Sequence, residues 1–223
     1  MENQAAPGIL KRGPDKVTQD FLSKNLLRQA FRTNLSRDDH DQVLLRSNTE
    51  KLSARLQDFL KKQTGTWATF EPIGFEPDIR SAVSASSHLT WVYPRVENET
   101  LKFYKVNSRA DLVANKWQIL EPDPARATLV SISEISGLLI PGLAFDETCN
   151  RLGRGRGFYD RALEEIFNHH QSSKTVNPQK IGIALERQVS KTNLPADPHD
   201  IVMDVVITEG RTLASNASER TLP

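Results

Sequence analysis

The chain has 223 residues, enough for one domain that buries a core of its own. Its 29 basic and 28 acidic side chains nearly cancel to a formal charge of +1, which argues against a whole-molecule field that would gather nucleic acid or an anionic membrane. A single cysteine, Cys149, excludes an internal disulfide and a cysteine-built zinc site, and no run approaches the ~20 apolar residues of a membrane span.

Residues 1–17 carry Pro7, Gly8, Gly13 and Pro14 without periodicity and read as a flexible tail. From Thr18 to Asn34, Phe21, Leu22, Leu26, Leu27, Ala30 and Phe31 recur at three- and four-residue spacing, which predicts a helix. A second helix is predicted over Asp39–Lys62, with Leu45, Leu52, Leu56, Phe59 and Leu60 as its buried stripe and Gly65 after its end. Strands are predicted at Trp67–Phe70, Leu89–Tyr93, Leu101–Lys105, Gly137–Ile140, Ile181–Leu185 and Val205–Thr208. The last three lack strict alternation, as in strands covered on both faces. A helix over Tyr159–Asn168 separates them, His169–Pro178 reads as a surface loop, and the Ser-, Thr- and Asn-rich 211–223 reads as a second flexible tail. Strands interleaved with helices predict an α/β fold: one three-layer α/β/α domain over 18–210, with a mostly parallel central sheet and a helical N-terminus.

The most informative stretch is IPGLAFDETCNRLGRGRGFYDRAL, Ile140–Leu163, which leaves a buried strand and enters a helix. Gly153, Gly155 and Gly157 let the backbone turn its N–H groups toward a phosphate, and the next helix adds its positive end. Arg151, Arg154, Arg156 and Arg161 add forked cations that match phosphate or carboxylate. The string is neither a P-loop nor a dinucleotide fingerprint, since Phe158 stands where the third glycine belongs. An Arg-Gly-Arg-Gly string also occurs in RNA-binding tails, but those are low-complexity, whereas this one joins an apolar strand to an amphipathic helix. A folded anion site is the stronger reading.

The same stretch resembles the signature of 5-formyltetrahydrofolate cyclo-ligases, in which Pro-Gly-x-Ala-Phe-Asp leads to Arg-Leu-Gly-x-Gly-x-Gly-aromatic-Tyr-Asp-Arg. Pro141, Gly142, Ala144, Phe145, Asp146 and then Arg151–Arg161 match it. Lys24 with Arg28, Glu76, Pro94-Arg95, Glu121-Pro122, Gln188, Leu194-Pro195, His199-Asp200 and Thr208-Glu209 follow the family's landmarks in order. One departure is that a glycine often precedes the Arg-Leu-Gly loop, where this chain has Cys149-Asn150; Asn tolerates left-handed geometry, so the turn is expected to persist.

The resemblance implies a ligase that uses ATP and Mg2+ to close 5-formyltetrahydrofolate into 5,10-methenyltetrahydrofolate. It implies an ATP site of Lys24, Arg28, Arg151, Gly153, Arg154, Gly155, Arg156, Gly157, Phe158 and Tyr159, with Arg154, Arg156 and Tyr159 catalytic. Phe70, Glu76, Trp117, Arg154 and Tyr159 would meet the folate, and Asp160 and Asp200 would bind the metal. Taken alone, Lys24 and Arg28 read as a solvated helix face, Asp160 as a helix-start carboxylate, Asp200 as a loop residue and His199 as structural. ATP and the folate are the expected partners, with no nucleic acid or membrane, as a cytoplasmic monomer. Two alternatives keep the fold: a paralogue acting on another acceptor, and an inactive relative that holds a nucleotide or RNA.

Overall fold

The computed structural model describes residues 16–38, 42–197 and 200–215. Helices α1 (Lys16–Asp38) and α2 (Gln42–Leu60) precede strand β1 (Thr66–Ala68) and the short helix α3 (Arg80–Ala85). Strands β2 (Thr90–Glu97), β3 (Thr100–Lys105), β4 (Leu112–Ala114), β5 (Leu120–Pro122) and β6 (Thr128–Val130) follow. Next come β7 (Ile135–Pro141), β8 (Ala144–Asp146), β9 (Arg151–Leu152) and helix α4 (Phe158–Ser173). Strands β10 (Gln179–Ile183), β11 (Val189–Ser190), β12 (Val205–Ile207) and β13 (Thr212–Ala214) complete the order.

The central sheet has eight strands in the order β13-β12-β10-β7-β1-β2-β3-β6. Its middle, from β12 to β2, is parallel, and both flanks turn antiparallel. Alternate residues of one strand enter opposite cores, because side chains of a strand point to alternate faces. Leu139, Val205 and Ile207 pack with Leu52, Leu56 and Leu60 of α2 and Ala82 and Val83 of α3. Leu138, Ile140 and Val206 pack with Ala162, Leu163 and Ile166 of α4 on the other side. The expected three layers and mostly parallel sheet are present, and the apolar runs without alternation have this cause.

Pro94 lies inside β2 although it has no N–H to donate. It is tolerated there because the parallel pairing with β1 ends at Val92, which leaves that stretch of β2 paired only with β3.

Several boundaries differ from the sequence reading. His169–Ser173, read as the start of a surface loop, extends α4, and His170 is buried there, because its ring can bond to the Ile132 carbonyl and to Thr175. Lys16 and Val17, assigned by sequence to the first tail, already belong to α1, while residues 1–15 lie outside the described residues. Thr212–Ala214, assigned to the second tail, forms β13 and pairs antiparallel with Val205–Ile207. An edge strand needs only backbone pairing and one covered face, so its polar composition hid it. Among the described residues, no helix is long and apolar enough to cross a membrane.

Among the described residues, α1 packs through a separate, smaller cluster. Its Leu27 and Phe31 pack against Ala144, Leu152 and Leu194, on the small sheet in which β8 lies between β11 and β9. That seat lays α1 across the glycine-rich loop that follows β9.

Candidate active site

The carboxyl ends of β1 and β7 open toward the loop between β9 and α4, the end of an α/β sheet where ligands gather. Where the chain leaves β7, Gln188 is fully buried, and its amide donates to the Gly142 carbonyl at 3.0 Å and accepts from the Leu185 N–H at 2.9 Å. Asp146, also fully buried, fixes the next turn. Its Oδ1 accepts from the N–H groups of Thr148 and Asn150 at 3.0 and 2.9 Å, and its Oδ2 from the Leu194 N–H at 2.8 Å. The left-handed residue of this turn is Cys149, at φ 66°, and not Asn150. Asn150 instead donates its side-chain amide to Asp146 Oδ2 at 2.9 Å. The turn expected to persist does so, one residue earlier than the tolerance of Asn suggested.

In the loop itself, Gly155 and Gly157 adopt φ of 101° and 66°. A Cβ on Gly157 would stand 2.9 Å from the Arg161 guanidinium, so both conformation and space favour glycine there. Gly157 is also the residue from which α4 starts, and it offers no side-chain cap. The first N–H groups of that helix are therefore left without a side-chain partner from the capping position. From α1, Arg28 Nε donates to the Gly153 carbonyl at 3.0 Å and Arg32 to the Arg154 carbonyl at 3.1 Å, which pins the loop from outside.

Two cavities meet at this loop. The first, of about 380 Å³, is mostly apolar and runs under the β4–β5 connection. The second, of about 290 Å³, lies between α1, the loop and the segment holding Asp197 and Asp200. Arg151, Gly153, Gly157 and Asp160 line both.

The residues expected to hold phosphates divide between them. Lys24, Arg28, Arg151, Gly153, Gly155 and Gly157 line the second cavity. Arg154, Arg156, Phe158 and Tyr159 line the first, together with Phe70, Glu76 and Trp117, the set expected to meet a folate. Phe70 is at the same time a core residue, 3% exposed. Trp117 is 48% exposed, and the Arg156 guanidinium sits 5.1 Å from its ring centre, within cation–π range across the cavity.

In the first cavity Glu76 and Arg154 form an ion pair. Glu76 accepts from Arg154 Nε at 2.9 Å through one oxygen and from the Ile73 N–H at 2.9 Å through the other. Burial raises the Glu76 carboxyl above its usual range, and the Arg154 charge opposes that only in part. Burial, reinforced by the Glu76 charge, raises the Tyr159 phenol as well, so this hydroxyl stays protonated and is a donor rather than a base.

In the second cavity Asp160 pairs with Arg151, whose side chain is 6% exposed, and Lys24 pairs with both Asp197 and Asp200. Burial pulls the Lys24 ammonium down, but its hydrogen bonds to the two aspartates outweigh that and leave its pKa raised. Asp197 was missed by sequence reasoning, because a lone carboxylate in a Pro-rich loop carries no spacing signal; only the fold sets it against α1. His199, read as structural, lies outside the described residues. Among the described residues no three His, Cys, Asp or Glu side chains form a complete metal cage. Asp160 and Asp200 line one phosphate-sized cavity, which suits a hard cation that keeps its waters and binds through one or two carboxylates plus phosphate oxygens.

A family model described as the 5-formyltetrahydrofolate cyclo-ligase family matches residues 22–209. A 5-formyltetrahydrofolate cyclo-ligase of Mycolicibacterium smegmatis is 36% identical over 104 residues, which cover 47% of this chain and 49% of that protein. A mitochondrial one of Arabidopsis thaliana is 30% identical over 129 residues, 54% of this chain and 46% of that protein. The chain thus spans about half the length of these curated relatives. The solved structure of an Aquifex aeolicus 5,10-methenyltetrahydrofolate synthetase superimposes with a TM-score of 0.69 at 28% identity, covering 86% of this chain and 93% of that one.

Proposed function

The chain belongs to the 5-formyltetrahydrofolate cyclo-ligase family, and on that premise we propose that it closes 5-formyltetrahydrofolate into 5,10-methenyltetrahydrofolate at the expense of ATP. The observation that carries the reading is the pair of cavities joined at Arg151, Gly153, Gly157 and Asp160. One is apolar, aromatic-lined and roomy enough for a ring system. The other is polar and lies against a glycine loop and a helix start. A transfer between two substrates needs their reacting ends brought together, and the shared wall is where that would occur.

The chemical obstacle is that a formyl oxygen on nitrogen is a poor leaving group. Transfer of the γ-phosphoryl group breaks its bond to ADP and forms one to the formyl oxygen. N10 then attacks the formyl carbon and gives up its proton, and the oxygen departs with phosphate. This chemistry asks the protein for positioning and charge rather than for a nucleophile. In that role Lys24, Arg28 and Arg151 would hold phosphates beside the loop. Arg154 and Arg156 would face the phosphorylated formyl group from the folate side. Tyr159, kept protonated, would donate a hydrogen bond. Phe70 and Trp117 would flank the ring. Asp160 and Asp200 would hold a magnesium ion, which when bound supplies charge neutralisation to the phosphates. The pairs Arg151–Asp160 and Lys24–Asp200 keep those groups extended toward one another before substrate arrives.

The test is to mix the protein with ATP, magnesium and 5-formyltetrahydrofolate and follow the near-ultraviolet chromophore of the methenyl product. Absorbance growth that requires all three components is expected. Product formed at a full rate without ATP, or none under any combination, refutes the assignment.

A further inference from the structure

Three carboxylates line the first cavity away from the wall it shares with the second, and they are not equivalent. Glu71, whose side chain is 9% exposed, pairs with Arg109 at 3.2 Å. Glu76 spends both oxygens on Arg154 and the Ile73 N–H. Glu121, on β5, is 7% exposed, and among the described residues its carboxylate has neither a hydrogen-bond nor an ion-pair partner. Its oxygens are not fully enclosed, and the residue lines the first cavity.

A carboxylate withdrawn from bulk water and left unpaired costs stability, and such a group is retained where a ligand completes it. Its position narrows what that ligand group is. Glu121 lines the first cavity but not the second, and it is not among Arg151, Gly153, Gly157 and Asp160, the wall that the two share. It is therefore not part of the wall where the two reacting ends would meet, which argues against service as the base for N10.

The 2-amino-4-oxo ring of a reduced folate carries its N3–H and exocyclic amine side by side, on the end that points away from N5 and N10. Two adjacent N–H donors match the two oxygens of one carboxylate. Resting on the activity proposed above, we propose that Glu121 is the acceptor for that donor edge and sets the selectivity for 2-amino-4-oxo rings.

The test measures equilibrium binding and steady-state rates for the full chain and Glu121→Gln. The probes are 5-formyltetrahydrofolate and its analogue with methyl in place of the 2-amino group. Gln offers one acceptor and brings donors of its own, so binding of the natural compound is expected to weaken about 10- to 100-fold, with KM rising more than kcat falls. The wild-type preference for the amino over the methyl compound should collapse toward unity in the variant. The ligand-free variant should melt at a higher temperature, because a neutral amide replaces an unpaired charge. Should Glu121→Gln fail to fold, Glu121→Asp retains the charge, withdraws it by one methylene, and is expected to show the same loss of preference. A wild type that turns over while both variants match its binding and preference overturns the proposal and leaves the activity standing. A wild type that binds neither probe ends both.

Discussion

Replacing Asp160 with Asn separates two roles that one carboxylate holds at the start of α4. Asp160 is the third residue of that helix, where its charge interacts favourably with the helix dipole by about 0.3–1 kcal/mol. It also accepts from Arg151 Nη2, and Arg151 has a side chain only 6% exposed. Asn preserves an acceptor oxygen but not the charge, so the bond falls from the charge-assisted to the neutral class, a loss of about 1 kcal/mol. Together these predict destabilisation of about 1–2 kcal/mol, or a fall in Tm of roughly 2–8 °C for a domain of this size. If Asp160 does no more than this, turnover of the folded variant should change little. If it also holds the metal against the phosphates, the rate should drop about 100-fold or more, with partial recovery as magnesium is raised. The assay pairs a melting curve with a magnesium titration of the rate for both proteins. A normal rate with unaltered magnesium dependence would refute the metal role and leave Asp200 and its neighbour Asp197 as the carboxylates in question.

Two further outcomes follow from backbone strain and from burial. Cys149 holds φ 66° without being glycine, a conformation that costs a side-chain-bearing residue about 1–2 kcal/mol. Cys149→Gly should therefore be at least as stable as Cys149→Ala in chemical denaturation, despite the larger void, and a clearly less stable Gly variant would show that the turn is unstrained. Glu76 has its pKa raised above 4.5 by burial, so its contribution favours the fold when protonated and is lost as pH rises through the raised value. The gain in Tm of Glu76→Gln over wild type should be largest near neutrality and shrink as pH falls toward 4.5; a gain that grows on acidification would reverse the sign of the argument.

What the sequence disclosed, and what it hid, follows the range of the forces involved. The glycine loop is local: three alternating glycines with arginines between them mark it in the sequence itself, and Ile140–Leu163 could be read directly. The central parallel strands were equally plain, because a sheet buried on both faces requires apolar residues at consecutive positions, as in Leu138, Leu139 and Ile140, whereas the edge strands β6 and β13 were not. Partnerships across the fold were not legible. Asp197 meets Lys24 across 173 positions and Glu76 meets Arg154 across 78, and no spacing rule reaches that far. The division of the arginines between two cavities was hidden for the same reason. Arg154 and Arg156 line the first alone while Arg151 reaches both, a matter of side-chain direction along a loop whose φ angles sequence does not reveal. Glu121 stood in a recognisable Glu-Pro pair, yet nothing in the sequence said that it would be buried without a partner.

The charge balance of the second cavity ties these observations together. Among the described residues of its lining, Lys24, Arg28, Arg151 and Arg161 face Asp160, Glu164, Asp197 and Asp200, so four cations are matched by four carboxylates. A phosphate site meant for a bare triphosphate would carry an excess of positive charge, since about four negative charges entering a balanced, partly desolvated space are strongly opposed. Here Arg151 and Lys24 are already engaged by Asp160, Asp197 and Asp200. Either those pairs open when phosphate arrives, which strands carboxylates beside it, or the incoming polyphosphate is already partly neutralised. On the second course every group would be satisfied: the cations would turn to phosphate oxygens, and the freed carboxylates to a cation brought with the nucleotide. The aspartates that look like rivals to phosphate binding are then the reason the site would select a magnesium–nucleotide complex over the free nucleotide.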